Sequence, residues 1–132
     1  WVVHGSNGTA QSGVDELTLA GPALVMRLHQ GEVSELTVDC SDIGLSSQPL
    51  SAIVGGDATE NARIARAVLA GEAGAARDTV VFNAAAALHV AGVATSLVDG
   101  RVLAEESIDS GKAADVLRKL ITASTAAAER LE

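Results

Sequence analysis

Asp78-Thr79-Val80-Val81-Phe82-Asn83-Ala84-Ala85-Ala86-Ala87-Leu88-His89-Val90 is the stretch that decides how this chain is built. Arg77-Asp78 reads as a helix-start pair, with the acid favoured by the helix dipole. The residues after it are apolar on nearly every face, and past the first turn the only polar side chains are Asn83 and His89. A helix apolar all round is buried rather than laid on a surface. The spacing therefore predicts a central helix from near Asp78 to Val90, with the other elements wrapped around it.

Helices are expected on both sides of that stretch. Downstream, a segment from about Val98 to Ser107 is followed by Ala113, Val116, Leu117, Leu120 and Ile121 at helical spacing, with Gly111 separating the two. Upstream, Asp57-Ala58-Thr59-Glu60 has the spacing of a capping box and opens a helix expected to bury Ala62, Ala65, Val68 and Leu69, ended by Gly71. Between Ser41 and Gly56 there are turn residues and two short apolar pieces, Ile43 to Leu45 and Leu50 to Val54, that define no element.

The earlier part has a different period. Leu24, Met26 and Leu28 alternate with other residues, as do Leu36, Val38 and Cys40 beyond a break at Gln30-Gly31, which predicts a β-hairpin with that face buried. Pro22 stands at its mouth, where a missing N–H does least harm. Trp1 to Val3 reads as a short buried strand ending at His4-Gly5, and Asn7-Gly8 and Ser12-Gly13 mark a long loop from Ser6 to Gly13. Residues 1–132 are thus expected to form one partial domain, with a strand and hairpin over about 1–40 and mainly helix over about 57–130. The terminal Leu131-Glu132 is left out of this reading. Strands followed by a run of helices would make an α+β domain if the set were complete. One strand and one hairpin offer too little sheet for four helices, so further strands are expected upstream of Trp1.

Composition narrows the function. A chain of 132 residues with a 48% hydrophobic fraction is long enough to bury a core and is not disordered. No apolar run approaches the roughly 20 residues of a membrane helix, so a soluble chain without a membrane partner is expected. A formal net charge of -8 and nine scattered basic residues argue against nucleic acid, but suit binding of phosphates through a metal ion. Aromatics at 2% exclude base stacking or an aromatic ligand cage. With a single cysteine, Cys40, there is no intrachain disulfide, which fits a cytoplasmic location.

The chemistry concentrates at Gly13-Val14-Asp15-Glu16-Leu17, where two adjacent carboxylates sit at the edge of an apolar run. Adjacent acids repel, so a fold placing them at the rim of a core gives them water or a cation. Their hard oxygens suit Mg²⁺, which is held through one or two carboxylates plus substrate phosphates. A solvated acidic turn is the alternative. His4 reads as a structural residue, and His29 at the hairpin turn and His89 in the apolar helix lack partners at ligand spacing. Asn83 is expected to fasten neighbouring backbone, because a buried amide must find partners. Cys40 is expected to be a small core residue. No catalytic residue is assigned.

Several motifs stand in a particular order: Val2-Val3-His4-Gly5, Val14-Asp15-Glu16-Leu17-Thr18 with Gly21-Pro22 behind, Gly55-Gly56-Asp57 leading to Glu60-Asn61-Ala62, Val68-Leu69-Ala70-Gly71, Arg77-Asp78, Asn83-Ala84-Ala85-Ala86-Ala87-Leu88, and Ile108-Asp109-Ser110-Gly111-Lys112-Ala113. Each alone is weak. Together, across nearly the whole chain, they resemble the closing portion of anthranilate phosphoribosyltransferases. The resemblance implies the C-terminal part of a phosphoribosyltransferase or nucleoside phosphorylase-like α/β domain. It also implies transfer of phosphoribosyl from phosphoribosyl pyrophosphate to the amino group of anthranilate, in tryptophan biosynthesis. By position, Asp15 and Glu16 inherit binding of the Mg²⁺ that neutralises the pyrophosphate.

The same resemblance places the glycine-rich phosphate loop, the anthranilate-binding segment and the helical domain that pairs such enzymes into homodimers upstream of Trp1. The isolated 132 residues are therefore expected to be inactive. Gly55-Gly56-Asp57 matches a different family position and is not that loop. The chain departs from the family in the stretch Ser6 to Val14, which separates His-Gly from Asp-Glu by more residues than usual. An insertion there would displace the carboxylates. Two other functions stay open, a nucleoside phosphorylase and a non-catalytic binding remnant of the same fold.

Overall fold

The computed structural model describes residues 1–7 and 13–130. The chain runs through β1 (Val2–Ser6), β2 (Gly13–Val14), β3 (Ala23–His29) and β4 (Glu32–Val38). Short 3₁₀ turns follow at Cys40–Ile43 and Leu50–Ile53, then α1 (Ala58–Leu69), α2 (Ala75–Val90), α3 (Leu97–Asp109) and α4 (Lys112–Ala128). The strands form one antiparallel sheet in the order β2-β1-β3-β4. The expected hairpin turns at Gln30 and Gly31, whose φ angles of 51° and 86° give the twist a two-residue connection requires. Among the described residues no helix is long and apolar enough to cross a membrane.

In β3 the buried face is the opposite of the expected one, whereas β4 buries the expected side, with Val38 in the core and Leu36 packed against it. Register places Val3 opposite Val25 and Val25 opposite Leu36, and Gly5 opposite Ala23 and Ala23 opposite Val38. Ala23, Val25 and Val38 are buried, whereas Leu24 and Met26 are partly open and Leu28 is 66% exposed. Ala23-Leu24-Val25-Met26 is apolar on both faces, so alternation alone cannot choose between them. The smaller pair, Ala23 and Val25, packs with Leu17, Leu19 and Phe82, and the larger residues remain on the open side beside Val2 and Val33. Cys40 lies beyond β4 in the first 3₁₀ turn and is a fully buried core residue; burial raises its thiol pKa.

The central helix is where it was expected, although it begins a turn earlier. Gly74 is its N-cap, Ala75 its first residue, and Asp78 stays in the first turn. Phe82, Ala85 and Ala86 enter the cluster under the sheet, and Val81 enters a second one with Val68, Ala104 and Ile108. The helix thus joins the two cores. It is not buried on every face, since Val80 and Val90 reach solvent.

At α1 the Asp57 carboxylate accepts the Glu60 N–H at 2.9 Å. The reciprocal arm of the capping box is absent, because Glu60 pairs with Arg63 instead. A complete box forms at the first 3₁₀ turn. There Asp39 accepts from Ser41 and Asp42 accepts the Asp39 N–H at 2.8 Å, and the Ser41 hydroxyl and N–H hold the Asp39 carboxyl below its usual range. In α1 Val68 is buried as expected, whereas Ala65 is exposed. No residue of α4 is buried, and its apolar Val116 and Leu120 face solvent; Ala113 alone of that stripe packs on the second cluster.

Arg77 does more than start a helix. Its Nη1 donates to Gly71 O at 2.9 Å and its Nη2 lies 2.9 Å from Asp109 Oδ1, so one side chain ties the end of α1 to the end of α3. Its side chain is only 16% exposed. Replacing Arg77 with alanine is expected to cost about 1–3 kcal/mol, the range for charge-assisted bonds whose partners are left behind. The shift of the urea midpoint measures it.

Candidate functional site

The site grows from two strand ends. β1 runs to Ser6, and the chain returns as β2, pairing Gly5 with Val14 and Ser6 with Gly13. Asp15 and Glu16 follow at once in a bend, both exposed. The next three residues, Leu17, Thr18 and Leu19, are almost wholly buried. A polar pair directly followed by an apolar plug fixes the acids at the rim of the core with their carboxylates in solvent.

The backbone under the acids is held from several directions. Leu17 N–H donates to Asn83 Oδ1 at 3.0 Å, and Asn83 Nδ2 donates to Leu17 O at 2.8 Å and to Thr79 O at 3.0 Å. The Thr18 hydroxyl donates to Ser6 O at 2.5 Å and accepts the Ala20 N–H at 3.3 Å. Gly5 lets the Glu16 carbonyl come so close that a Cβ there would stand 2.0 Å from the oxygen. At Gly13 a Cβ would meet the His4 ring at 2.3 Å, so His4 packs on the β2 backbone. Asn83 thus fastens backbone, as its place beside alanines suggested.

As a cation site this donor set is small and hard. Among the described residues no group of three or more His, Cys, Asp and Glu side chains could hold a metal ion. Nor, among those residues, does a hydrogen bond or ion pair engage either carboxylate. Two free neighbouring carboxylates fit Mg²⁺, which keeps waters and takes phosphate oxygens, and do not fit the closed nitrogen and sulfur sites of zinc. His89 is engaged elsewhere, its Nδ1 3.3 Å from Ala94 O and its ring edge-on to Trp1 at 5.6 Å.

The other candidate segment is structural. Asn61 accepts the Gly56 N–H and donates to Gly56 O, both at 2.9 Å, which builds Gly55-Gly56-Asp57 into the start of α1. A cleft of about 310 Å³ between Leu50–Ile53, α1 and the start of α2 has neither Asp15 nor Glu16 in its walls. The insertion expected between Ser6 and Val14 falls on residues 8–12, outside the described residues. The support given by Gly5, Thr18 and the Leu17 peptide has no local signature, because each contact joins residues far apart in sequence or depends on a close backbone approach.

The site thus sits on a small antiparallel sheet backed by helices, with two acids presented at a strand end. The chain belongs to the glycosyl transferase family, a/b domain, which it matches over residues 2–114. It is 48% identical over 127 residues to an anthranilate phosphoribosyltransferase of Rhodopseudomonas palustris (strain HaA2), covering 96% of this chain and 36% of that protein. The enzyme of the same name from Moorella thermoacetica is 46% identical over 92% of this chain and 34% of its own length. Among solved structures, anthranilate phosphoribosyltransferase from Thermus thermophilus superposes with a TM-score of 0.76 at 36% identity, over 83% of this chain and 32% of that one. A Saccharomyces cerevisiae variant of the enzyme with Mg bound gives 0.74 at 28% identity, over 80% of this chain and 31% of that one. The chain therefore spans about a third of the length of the relatives it matches. The resemblance carried by the motifs extends to sequence and fold alike.

Proposed function

We propose that this chain is the part of an anthranilate phosphoribosyltransferase that presents Mg²⁺ to the pyrophosphate of phosphoribosyl pyrophosphate, with Asp15 and Glu16 as the protein ligands. The observation that carries the reading is the pair itself: adjacent, exposed, unengaged carboxylates on an anchored backbone. In the reaction the anthranilate amino nitrogen bonds to C1 of the ribose, the bond from C1 to pyrophosphate oxygen breaks with its electron pair on the leaving group, and the amine loses a proton. Mg²⁺ bound at the pair would offset the negative charge that builds on the leaving pyrophosphate.

The chain's own charge supports the need for a cation. At a net charge of -8, a face bearing Asp15 and Glu16 would repel a polyphosphate unless a metal ion stood between them. What this chain does is hold the two carboxylates at a fixed place on a rigid rim. Phosphate-cradling and anthranilate-binding groups belong, in this reading, to the remainder of a cytoplasmic, homodimeric enzyme of tryptophan biosynthesis. The same remainder covers the open sheet face at Val2, Leu24, Met26 and Leu28, which makes residues 1–132 part of a domain.

Product formation by the complete enzyme tests the reading. Pyrophosphate release from phosphoribosyl pyrophosphate should require both anthranilate and Mg²⁺, and the 132 residues alone should give none. Phosphorolysis of a nucleoside in place of that reaction would establish the phosphorylase reading, and no turnover with either substrate pair would remove both enzymatic readings.

A further inference from the structure

We infer that Asn83 is a positioning residue that sets the Mg²⁺ affinity of the Asp15 and Glu16 pair, an inference that rests on the metal role proposed above. The two bonds it makes to Leu17 engage successive peptide groups: the N–H belongs to the peptide joining Glu16 to Leu17, and the carbonyl to the peptide joining Leu17 to Thr18. One planar amide therefore fixes the orientation of the chain immediately after the second acid. On the other side, pairing of Val14 with Gly5 fixes the chain immediately before the first. Asp15 and Glu16 are the free span between these two anchors.

Asn83 is itself rigid. Its third bond, to Thr79 O, locks the amide against the preceding turn of α2, and the Thr79 hydroxyl is in turn satisfied by Ala75 O at 2.9 Å. The acids are thus referred to the central helix, the element that joins both cores. Asn83 is neutral and contributes no charge to the site, so its effect on a cation comes through geometry alone. Two carboxylates that must bind one octahedral ion lose affinity when the peptide carrying them can swing, and groups that orient ligands are commonly worth about 10–100-fold in metal affinity.

The test uses the complete enzyme and titrates Mg²⁺ in the presence of pyrophosphate by calorimetry, with the Mg²⁺ concentration for half-maximal rate as a second readout. Asn83→Ala deletes the amide. Asn83→Leu keeps its approximate shape and a good helix former while removing all three bonds. Both should raise the Mg²⁺ dissociation constant about 10–100-fold, with the rate recovering when Mg²⁺ is raised by the same factor and the anthranilate KM unchanged. Asn61→Ala removes an equivalent amide clamp on Gly56 and should leave the constant as it was.

A residue that merely supported folding would lower the number of sites and not their affinity, so an unchanged dissociation constant in the folded Asn83→Leu enzyme overturns the inference. Asp15→Asn with Glu16→Gln, run in parallel, separates the two levels. If those carboxylate variants shift the constant and the Asn83 variants do not, positioning by Asn83 is wrong and the metal role stands. If neither set shifts it, the metal role itself is wrong.

Discussion

Gly100→Ala is expected to destabilise the protein by up to about 2 kcal/mol, although by intrinsic helix propensity alone it should help. Alanine in place of glycine inside a helix is worth about 1 kcal/mol in favour of folding. Gly100, however, lies in α3 where it crosses α2, and a Cβ there would stand 2.5 Å from Ala85 O and 2.9 Å from Ala85 Cα. Those are backbone atoms of the central helix and cannot rotate away. Either α3 moves off α2, opening the packing around Ala85 and Ala104, or the clash is absorbed as strain. Overpacking costs about 1–3 kcal/mol and more where the neighbour cannot yield, so the clash outweighs the propensity gain. Urea unfolding should show a lower midpoint. A higher midpoint would mean that the helices do not approach this closely.

The largest functional effect is expected from Asp15→Asn combined with Glu16→Gln. Both replacements keep side-chain shape, and both positions are exposed, so stability should change by no more than about 0.5 kcal/mol. What is lost is the negative charge that would hold the cation. Removing a group that stabilises developing charge costs about 100- to 1000-fold in turnover, and a loss in that range at ordinary Mg²⁺ is expected of the complete enzyme. Steady-state rates beside a thermal melt separate this from unfolding: a fall in activity with an unchanged melting temperature supports the metal role, and unchanged activity removes it.

Much of this molecule is legible in its sequence, for reasons that can be named. The order of helices follows from apolar periodicity, and Asp57 announces α1 because an N-cap is a local device. Asn83 reads as a backbone fastener since a buried amide needs partners, but its particular partner does not. Leu17 is remote in sequence, and only the fold brings it to α2. The same limit hides the link from Arg77 to Asp109. The face of β3 comes out reversed, while that of β4 does not, because Ala23-Leu24-Val25-Met26 is apolar on both sides and the decision belongs to packing against Phe82. α2 begins earlier than Asp78 because Gly74 caps it without a side-chain signal. α4 keeps its helical stripe, but periodicity says which residues share a face and not whether anything lies against it.

The acidic pair shows both sides of this. Its residue types and place beside an apolar run suggest a hard cation, and the structure adds that the backbone is anchored on both sides of the pair. The direct measurement is pyrophosphate binding to the complete enzyme with and without Mg²⁺, compared between the natural sequence and the Asp15→Asn, Glu16→Gln variant. Mg²⁺ should tighten pyrophosphate binding to the natural enzyme at least ~10-fold and leave binding to the variant almost unchanged. Equal tightening in both would contradict the assignment of Asp15 and Glu16 as the metal ligands.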